Sequence, residues 1–414
     1  MNPPTIRPMR IGAGAAAVAA ALVLASCSSS PTTTTSDSAE ADLPEALNIT
    51  SFLAHTGTQA SAVAPLIAAA QLAINDINDA GGVFGADVVY VEQDSSSDND
   101  TAATAADSVI SSDANIVIGP YGSGMGAAVI PQITEAGIVE ISGSNTSSAL
   151  TGISPLYFRT APTDALESAQ LVDLIAADGH SSVGLIWQND AWGAAFEEGM
   201  VQNLEAAGID VAANESFNVE ETDYSAQVNA VVAAQPDAVV FLSYATYSGA
   251  MIEQLVGTNG FPSANVYFSS STLGDYSASV SNLAYLEGVQ AFQPGADVDT
   301  EADFEARVKE IDPSLTAFAY AASTYDATIL AALAAEVAGS VDGEDIAAAL
   351  AEISGPNDGE SCSTYADCLA IIEDGGTIDY DGLTGNIEFD DNNDVGATNY
   401  LHFVYAADGT YAVE

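Results

Sequence analysis

The chain has 414 residues, of which 58 are Asp or Glu and only five Lys or Arg, for a formal net charge of −53. With so few bases it cannot neutralise phosphates, which excludes nucleic acid as a partner and argues against docking on anionic lipid through protein charge. Nor is it a disordered polyanion, because 48% of its residues are hydrophobic and recur with helix and strand periods; such an acidic surface reads as adaptation to a salty medium.

At the N-terminus, Arg7 and Arg10 precede an alanine-rich apolar stretch over 11–24, too short to remain as a membrane-spanning helix. The stretch ends in Leu24-Ala25-Ser26-Cys27. This is the pattern of a lipoprotein signal over 1–26, with a diacylglycerol expected on Cys27. The plainer reading, an ordinary signal peptide that happens to end near a cysteine, leaves the small residues beside Cys27 unaccounted for. Arg7 and Arg10 are not adjacent, which disfavours a twin-arginine route. Residues 27–46, rich in Ser, Thr and Asp, read as a flexible tether. Removal of the signal leaves Arg159, Arg307 and Lys309 against all 58 acids, a net charge of −55. The expected location is extracytoplasmic, at the outer face of the cell membrane or in the periplasm, held by lipid.

From residue 47 onward, short apolar runs alternate with helical periods. A strand over 47–53 precedes a helix over 60–79, whose apolar residues Leu66, Ala69, Ala70, Ala73, Ile74 and Ile77 stop at Gly81-Gly82, a C-terminal signal. Next come a strand over 87–92, a helix over 101–111, a strand over 115–118, a helix over 124–136 and a strand over 138–141. A second set follows, with helices over 164–177, 192–207, 224–234 and 247–258. Its strands fall over 182–187, 209–217, 238–242 and 265–268. Such alternation predicts an α/β fold with parallel sheets covered on both faces, and two sets predict two doubly wound lobes. Ligands are then expected beyond the C-terminal ends of the strands. The tail carries helices over 317–338, interrupted in polarity by Tyr325-Asp326, and over 342–353. Strands over 383–389 and 399–405 need a sheet built elsewhere. Cys362 and Cys368 suit a small-loop disulfide of an oxidising compartment. A two-thiol metal site is the rival, but no His lies near and the spacing is wrong for zinc.

Several blocks together resemble one family. They are AAAQLAINDINDAGGVFG over 68–85, IGPYGS over 118–123, ISGSNT over 141–146, FRT over 158–160, DAWG over 190–193, Tyr325-Asp326, and GLTG over 382–385. In order and spacing they resemble the leucine/isoleucine/valine-binding proteins, type I solute-binding proteins of ABC importers. The resemblance implies two lobes joined by three crossovers that close on a solute. It places the first lobe at 47–158 and 291–390, and the second at 159–290 and 391–414. It also implies transport without catalysis: capture of a small polar solute, most simply a branched-chain amino acid, for an ABC permease and its ATPase. No cofactor is implied, and the chain is expected to act as a monomer. A receptor of the same fold that senses a ligand, or a binder of an amide or urea-like solute, is the alternative.

The resemblance marks the site residues one by one. The loop after the strand over 115–118 offers Tyr121 and Ser123, with Ser123 against the ligand carboxylate; a capping serine is its plainer reading. Ser144, Asn145 and Thr146 follow the next strand at the same sheet edge. Trp192 matches an aromatic that closes over the ligand, and Tyr244 a position that lines the cleft. For the ammonium, alignment gives Thr272 where branched-chain binders carry a carboxylate, with Asp275 three residues later as a substitute. A desolvated carboxylate needs compensation, yet the only nearby base is Arg159, in a predicted crossover. Backbone amides and hydroxyls must therefore carry the anion, and Arg159 reads as a hinge residue paired with an acid. Gly122-x-Gly124-x-x-Ala127 mimics a dinucleotide fingerprint, but sits on the third strand rather than the first. The run 390–394 resembles a calcium loop but has Val395 and Leu401 where Gly and Glu belong, so a hairpin turn is expected. His55, His180 and His402 are far apart, and no serine sits in a nucleophile elbow.

Overall fold

The structure, a computed structural model, describes residues 46–219, 221–295, 298–354, 359–396 and 400–413. These belong to one unit, Leu43–Glu414. The expected signal, Cys27 and all of the expected tether but Ala46 lie outside the described residues.

The first half of the chain forms β1 (Asn48–Leu53), α1 (Ala60–Asp79), β2 (Val89–Asp94), α2 (Asn99–Ile110), β3 (Ile116–Ile118), α3 (Ser123–Glu135), β4 (Val139–Ser142) and β5 (Tyr157–Arg159). The strands pair in the order β2-β1-β3-β4-β5, every neighbour parallel. The chain continues with α4 (Asp164–Ala177), β6 (Ser182–Gln188), α5 (Ala191–Ala207), β7 (Asp210–Phe217), α6 (Ser225–Ala234), β8 (Ala238–Leu242), α7 (Ala245–Ile252), β9 (Val266–Phe268) and β10 (Gln290–Pro294). After β10 come α8 (Val298–Ile311), α9 (Ala321–Ala338), α10 (Gly343–Ile353), β11 (Glu360–Cys362), α11 (Tyr365–Glu373), β12 (Ile378–Gly382) and β13 (Gly385–Asn386). The chain closes with β14 (Tyr400–Tyr405) and β15 (Tyr411–Val413).

The second sheet has the order β15-β14-β10-β9-β8-β6-β7. It is parallel from β7 to β10, while β14 and β15 add an antiparallel edge. Helices cover both faces of each large sheet. Residues of α1, α9 and α10 pack one face of the first and residues of α2 and α3 the other. Residues of α4 and α5 cover one face of the second and those of α6 and α7 the other. This is the two-lobed α/β architecture, with three passages between sheets: after Arg159, after Pro294, and between Asn386 and Tyr400.

Local chemistry explains most boundaries. The predicted inner face of α1 is buried in full, and the helix ends where Gly81 and Gly82 take φ of 117° and 75°. A Cβ on Gly82 would lie 1.9 Å from the Ala86 carbonyl oxygen, so only glycine fits this turn. Helix α9 starts four residues later than expected because Tyr320 adopts a left-handed φ of 61°. From Ala321 to Ala335 every residue of α9 is buried, so polarity could not mark its start.

Several expectations need correction. The lobe boundary expected at 291 falls inside β10, which belongs to the second sheet, and the boundary at 158 falls inside β5, which belongs to the first. The strand expected over 383–389 lies earlier, at β12, followed by the short β13; these join β11 in a three-stranded sheet. The displacement has a physical cause in Asp326 on α9. Its Oδ1 accepts from the Tyr380 hydroxyl and the Leu383 N–H, both at 2.9 Å. Its Oδ2 accepts from the Thr384 N–H at 2.9 Å and the Thr384 hydroxyl at 2.7 Å. The Tyr325-Asp326 and 382–385 blocks thus meet in a turn that ends the strand.

Cys362 and Cys368 form a disulfide, with Cα atoms 5.3 Å apart, within the core of the first lobe. Closing so short a loop stabilises the fold by about 2 kcal/mol in the chain-entropy picture. The run 390–394 is a turn, with Asp390 N–H donating to the Asp394 carbonyl at 2.8 Å and a bridge between Phe389 and Val395.

Candidate functional site

The loops that follow β3 and β4 in the first lobe meet those that follow β6, β8 and β9 in the second. All leave the C-terminal ends of parallel strands, where open α/β sheets hold ligands. The loop after β3 starts at Gly119, whose φ of 128° and 2.4 Å approach of a would-be Cβ to the Phe52 carbonyl exclude any side chain. This tight start sets Tyr121 and Ser123 at the mouth of α3.

The loop after β4 is fastened to it. The Asn145 Nδ2 donates to the Pro120 and Tyr121 carbonyls at 2.9 Å, and its Oδ1 accepts from the Tyr157 hydroxyl at 3.3 Å. The Ser144 hydroxyl donates to the Tyr121 carbonyl at 3.2 Å. Both side chains are consumed by this scaffold, so neither offers its functional group to a solute. The Ser123 hydroxyl oxygen accepts the Thr146 and Ser147 N–H groups at 3.2 Å each. The two amides thus hold the Ser123 oxygen at the N-terminus of α3 and leave its O–H as the donor, at a helix end that attracts anions without a basic side chain.

Across the cleft, the Trp192 indole N–H donates to the Thr146 hydroxyl at 3.0 Å and to Asp164 Oδ1 at 3.3 Å. Trp192 stacks on Tyr244 with centroids 4.8 Å apart and planes 10° apart. Tyr244 meets Tyr121 at 5.7 Å, and Tyr121 meets Tyr320 edge-on at 6.5 Å. These four rings link the lobes and are all buried. Tyr320, in its left-handed conformation, reaches from the first lobe to Ser270 Oγ at 2.7 Å and Ser271 Oγ at 3.1 Å in the second. The Ser270 N–H and hydroxyl donate to Glu167 at 2.7 and 2.6 Å, so the Tyr320 hydroxyl is the donor to Ser270.

The electrostatics centre on two acids in the first turn of α4. Burial, then the charge of Glu167, pushes Asp164 up to about 8; burial pushes Glu167 up to about 7. Asp164 Oδ2 has no hydrogen-bond partner among the described residues, and neither does the buried Tyr400 hydroxyl. Both carboxylates sit at a helix N-terminus, where the peptide dipoles favour negative charge. The cation nearby, Arg159, is engaged by Asp394.

The two residues expected at the ammonium bond elsewhere in this structure. Thr272 is buried, but its hydroxyl donates to the Ser243 carbonyl at 2.6 Å. Asp275 is exposed, and its carboxylate accepts from the Ser277 N–H and the Thr316 hydroxyl, both at 2.8 Å. Thus Tyr121, Ser123, Thr146, Trp192 and Tyr244 come together as expected positions, with Ser144 and Asn145 behind them as scaffold. Thr272 and Asp275 stand apart. Sequence reading missed Asp164, Glu167, Tyr320 and Tyr400. An acid in the first helical turn is ordinary helix chemistry, so nothing in one sequence distinguishes Asp164 and Glu167 from surface acids. His55 lies outside the ring cluster; its backbone N–H donates to Asp94 at 3.0 Å. Among the described residues no group of His, Cys, Asp and Glu is set to hold a metal.

Comparison with known proteins agrees with this fold. A family model described as periplasmic binding protein matches residues 47–363. The chemotactic signal transduction system substrate-binding protein BasB of Halobacterium salinarum is 25% identical over 326 residues, 76% of each chain. The Leu/Ile/Val-binding protein BraC3 of Rhizobium johnstonii is 25% identical over 217 residues, 49% of this chain and 59% of the relative. Among solved structures, the isoleucine complex of the branched-chain amino acid transporter substrate binding protein LivJ from Streptococcus pneumoniae superposes with a TM-score of 0.74. That match has 20% identity and covers 89% of this chain and 99% of the other.

Proposed function

The chain belongs to the periplasmic binding protein family, and from that premise we propose that it captures a zwitterionic amino acid of the branched-chain type between its lobes and delivers it to an ABC importer. One observation carries this reading. The cleft has an anion end at the Ser123 hydroxyl, which the Thr146 and Ser147 amides hold in place, and beside it a cation end at Asp164, whose Oδ1 shares the Trp192 N–H with the Thr146 hydroxyl, with aromatic rings around both. In this reading Ser123 and Thr146 take the carboxylate, Asp164 takes the ammonium in place of Thr272 or Asp275, and Tyr121, Trp192, Tyr244 and Tyr320 enclose the side chain. Closure is hinge motion about the three passages between lobes, which the ligand selects.

Thermal unfolding with L-leucine, isoleucine or valine is the direct test. A site of this kind stabilises the fold by about 2.7 kcal/mol at a hundredfold excess over Kd. If no amino acid shifts the midpoint at millimolar concentration, the reading is wrong. The similarity to BasB, a component of a chemotactic system by its description, favours a sensor as the second reading. Loss of labelled leucine uptake in a deletion strain supports the importer role; loss of chemotaxis with uptake intact supports the sensor.

The lipid on Cys27 belongs to the same proposal, because it keeps a solute trap beside its membrane partner. Membrane fractions are expected to lose the protein on Cys27→Ala, and an unchanged distribution argues against the anchor.

A further inference from the structure

Arg159 is fully buried at the end of β5, and its guanidinium faces two ways. On one side Nε and Nη2 grip Asp394 Oδ1 and Oδ2 at 2.5 and 2.7 Å, a bidentate pair that joins the first passage between lobes to the third. Thr151 closes the cluster, accepting from Nη2 at 2.8 Å and donating to Asp394 at 2.7 Å. On the other side Nη1 donates to the Ser147 carbonyl at 2.7 Å and more weakly to the Asn145 carbonyl at 3.4 Å.

The Asn145 carbonyl and the Thr146 N–H belong to one peptide unit. The same plane that offers its oxygen to Arg159 offers its N–H to Ser123 Oγ. The Ser147 carbonyl held by Nη1 belongs to the following peptide unit, so that bond fixes the position of Ser147, whose N–H reaches the same oxygen, without polarising that N–H. A cation behind a peptide orients it and polarises it, so that the N–H in front becomes the stronger donor.

We infer that Arg159 is a positioning residue for the solute's carboxylate: it acts through the 145–147 peptide units rather than by contact, and Asp394 sets its pose. The inference rests on the amino-acid reading above. It explains how so acidic a molecule binds an anionic group with no base in the cleft. It also ties the anion end of the site to two of the segments that move when the lobes close.

Two readouts test it on the whole soluble chain, in the wild type, Arg159→Lys and Asp394→Asn. The first needs no ligand: amide hydrogen exchange at Thr146 and Ser147 is expected to accelerate about tenfold or more in both variants, with α5 and α9 unchanged. The second compares L-leucine with L-leucinamide, which lacks the carboxylate. Leucine is expected to lose about tenfold in affinity relative to leucinamide in Arg159→Lys. A merely structural arginine would weaken both compounds alike. Unchanged exchange at Thr146 and Ser147, or parallel losses for the two compounds, overturns the inference. If the wild type binds neither compound, the amino-acid reading fails while the exchange data still decide the role of Arg159. Should Arg159→Lys not fold, Asp394→Asn, which keeps the shape of the acid, carries both readouts.

Discussion

Asp164→Asn is expected to weaken amino-acid binding roughly a hundredfold, about 3 kcal/mol, while raising the unfolding midpoint of the ligand-free protein. The opposite signs come from one cause. Asp164 is buried, with one oxygen unpartnered among the described residues, and burial lifts its pKa to about 8. A carboxyl whose folded pKa lies above its unfolded value stabilises least at high pH. Below its ordinary range, near 4, it carries no penalty; the penalty grows as pH rises and levels off above about 8. Asn carries no such penalty, so the gain in midpoint should widen between pH 5 and about 8. A ligand ammonium reverses the balance, because the charge then has a partner. Wild-type affinity is therefore expected to rise from pH 6 to about 8, and this slope should flatten in the Asn variant. Calorimetric titration across that range reads both effects. Wild-type affinity in Asp164→Asn, or an identical pH slope, would remove Asp164 from the cation end.

Asp326→Ala is expected to destabilise the first lobe by about 4 kcal/mol, with little change in the solute contacts themselves. Its carboxylate takes four donors from the 380–384 turn. Deleting it leaves those donors buried and unmatched. Burial still outweighs the four bonds, so its pKa sits above the ordinary carboxylate range. It is therefore a group whose removal costs more than its presence contributes. Asp326→Asn should be nearly as damaging, because an amide turns two donors toward donors. Gly382 makes the fit tight: a Cβ there would lie 2.4 Å from Asp326 Oδ1. Chemical denaturation reads the change; a loss under 1 kcal/mol would mean that the turn finds other partners.

Elements whose signal is local were legible in the sequence. The helix over 60–79 and the strand over 238–242 were read to the residue, because amphipathic period, Gly stops and apolar runs are properties of neighbours in the chain. The strand β10 and helix α8 were missed between irregular turns. The strand β5 reads as a connection in the sequence, because three residues carry no period. The 390–394 run, expected as a hairpin turn despite its likeness to a calcium loop, is that turn, and it lends Asp394 to Arg159.

At the site the division is sharper. The strand-end rule pointed only to the region; Ser123, Thr146, Trp192 and Tyr244 were named by the family resemblance, at positions that follow strand ends a doubly wound sheet brings together. The acidic, two-lobed character of the chain follows from charge and alternation, while its expected export rests on the signal pattern over 1–26. The identity of the cation end does not. In the proposed reading Asp164 and Glu167 join the site only because α4 begins beside Trp192 and Ser270 and burial strips their carboxylates of water. Thr272 and Asp275 are left out of that reading because one hydroxyl is drawn to the Ser243 carbonyl and one carboxylate faces solvent beside Thr316. Burial and pairing between residues 28 to 103 positions apart are decided by packing, and packing is settled only when both lobes are built.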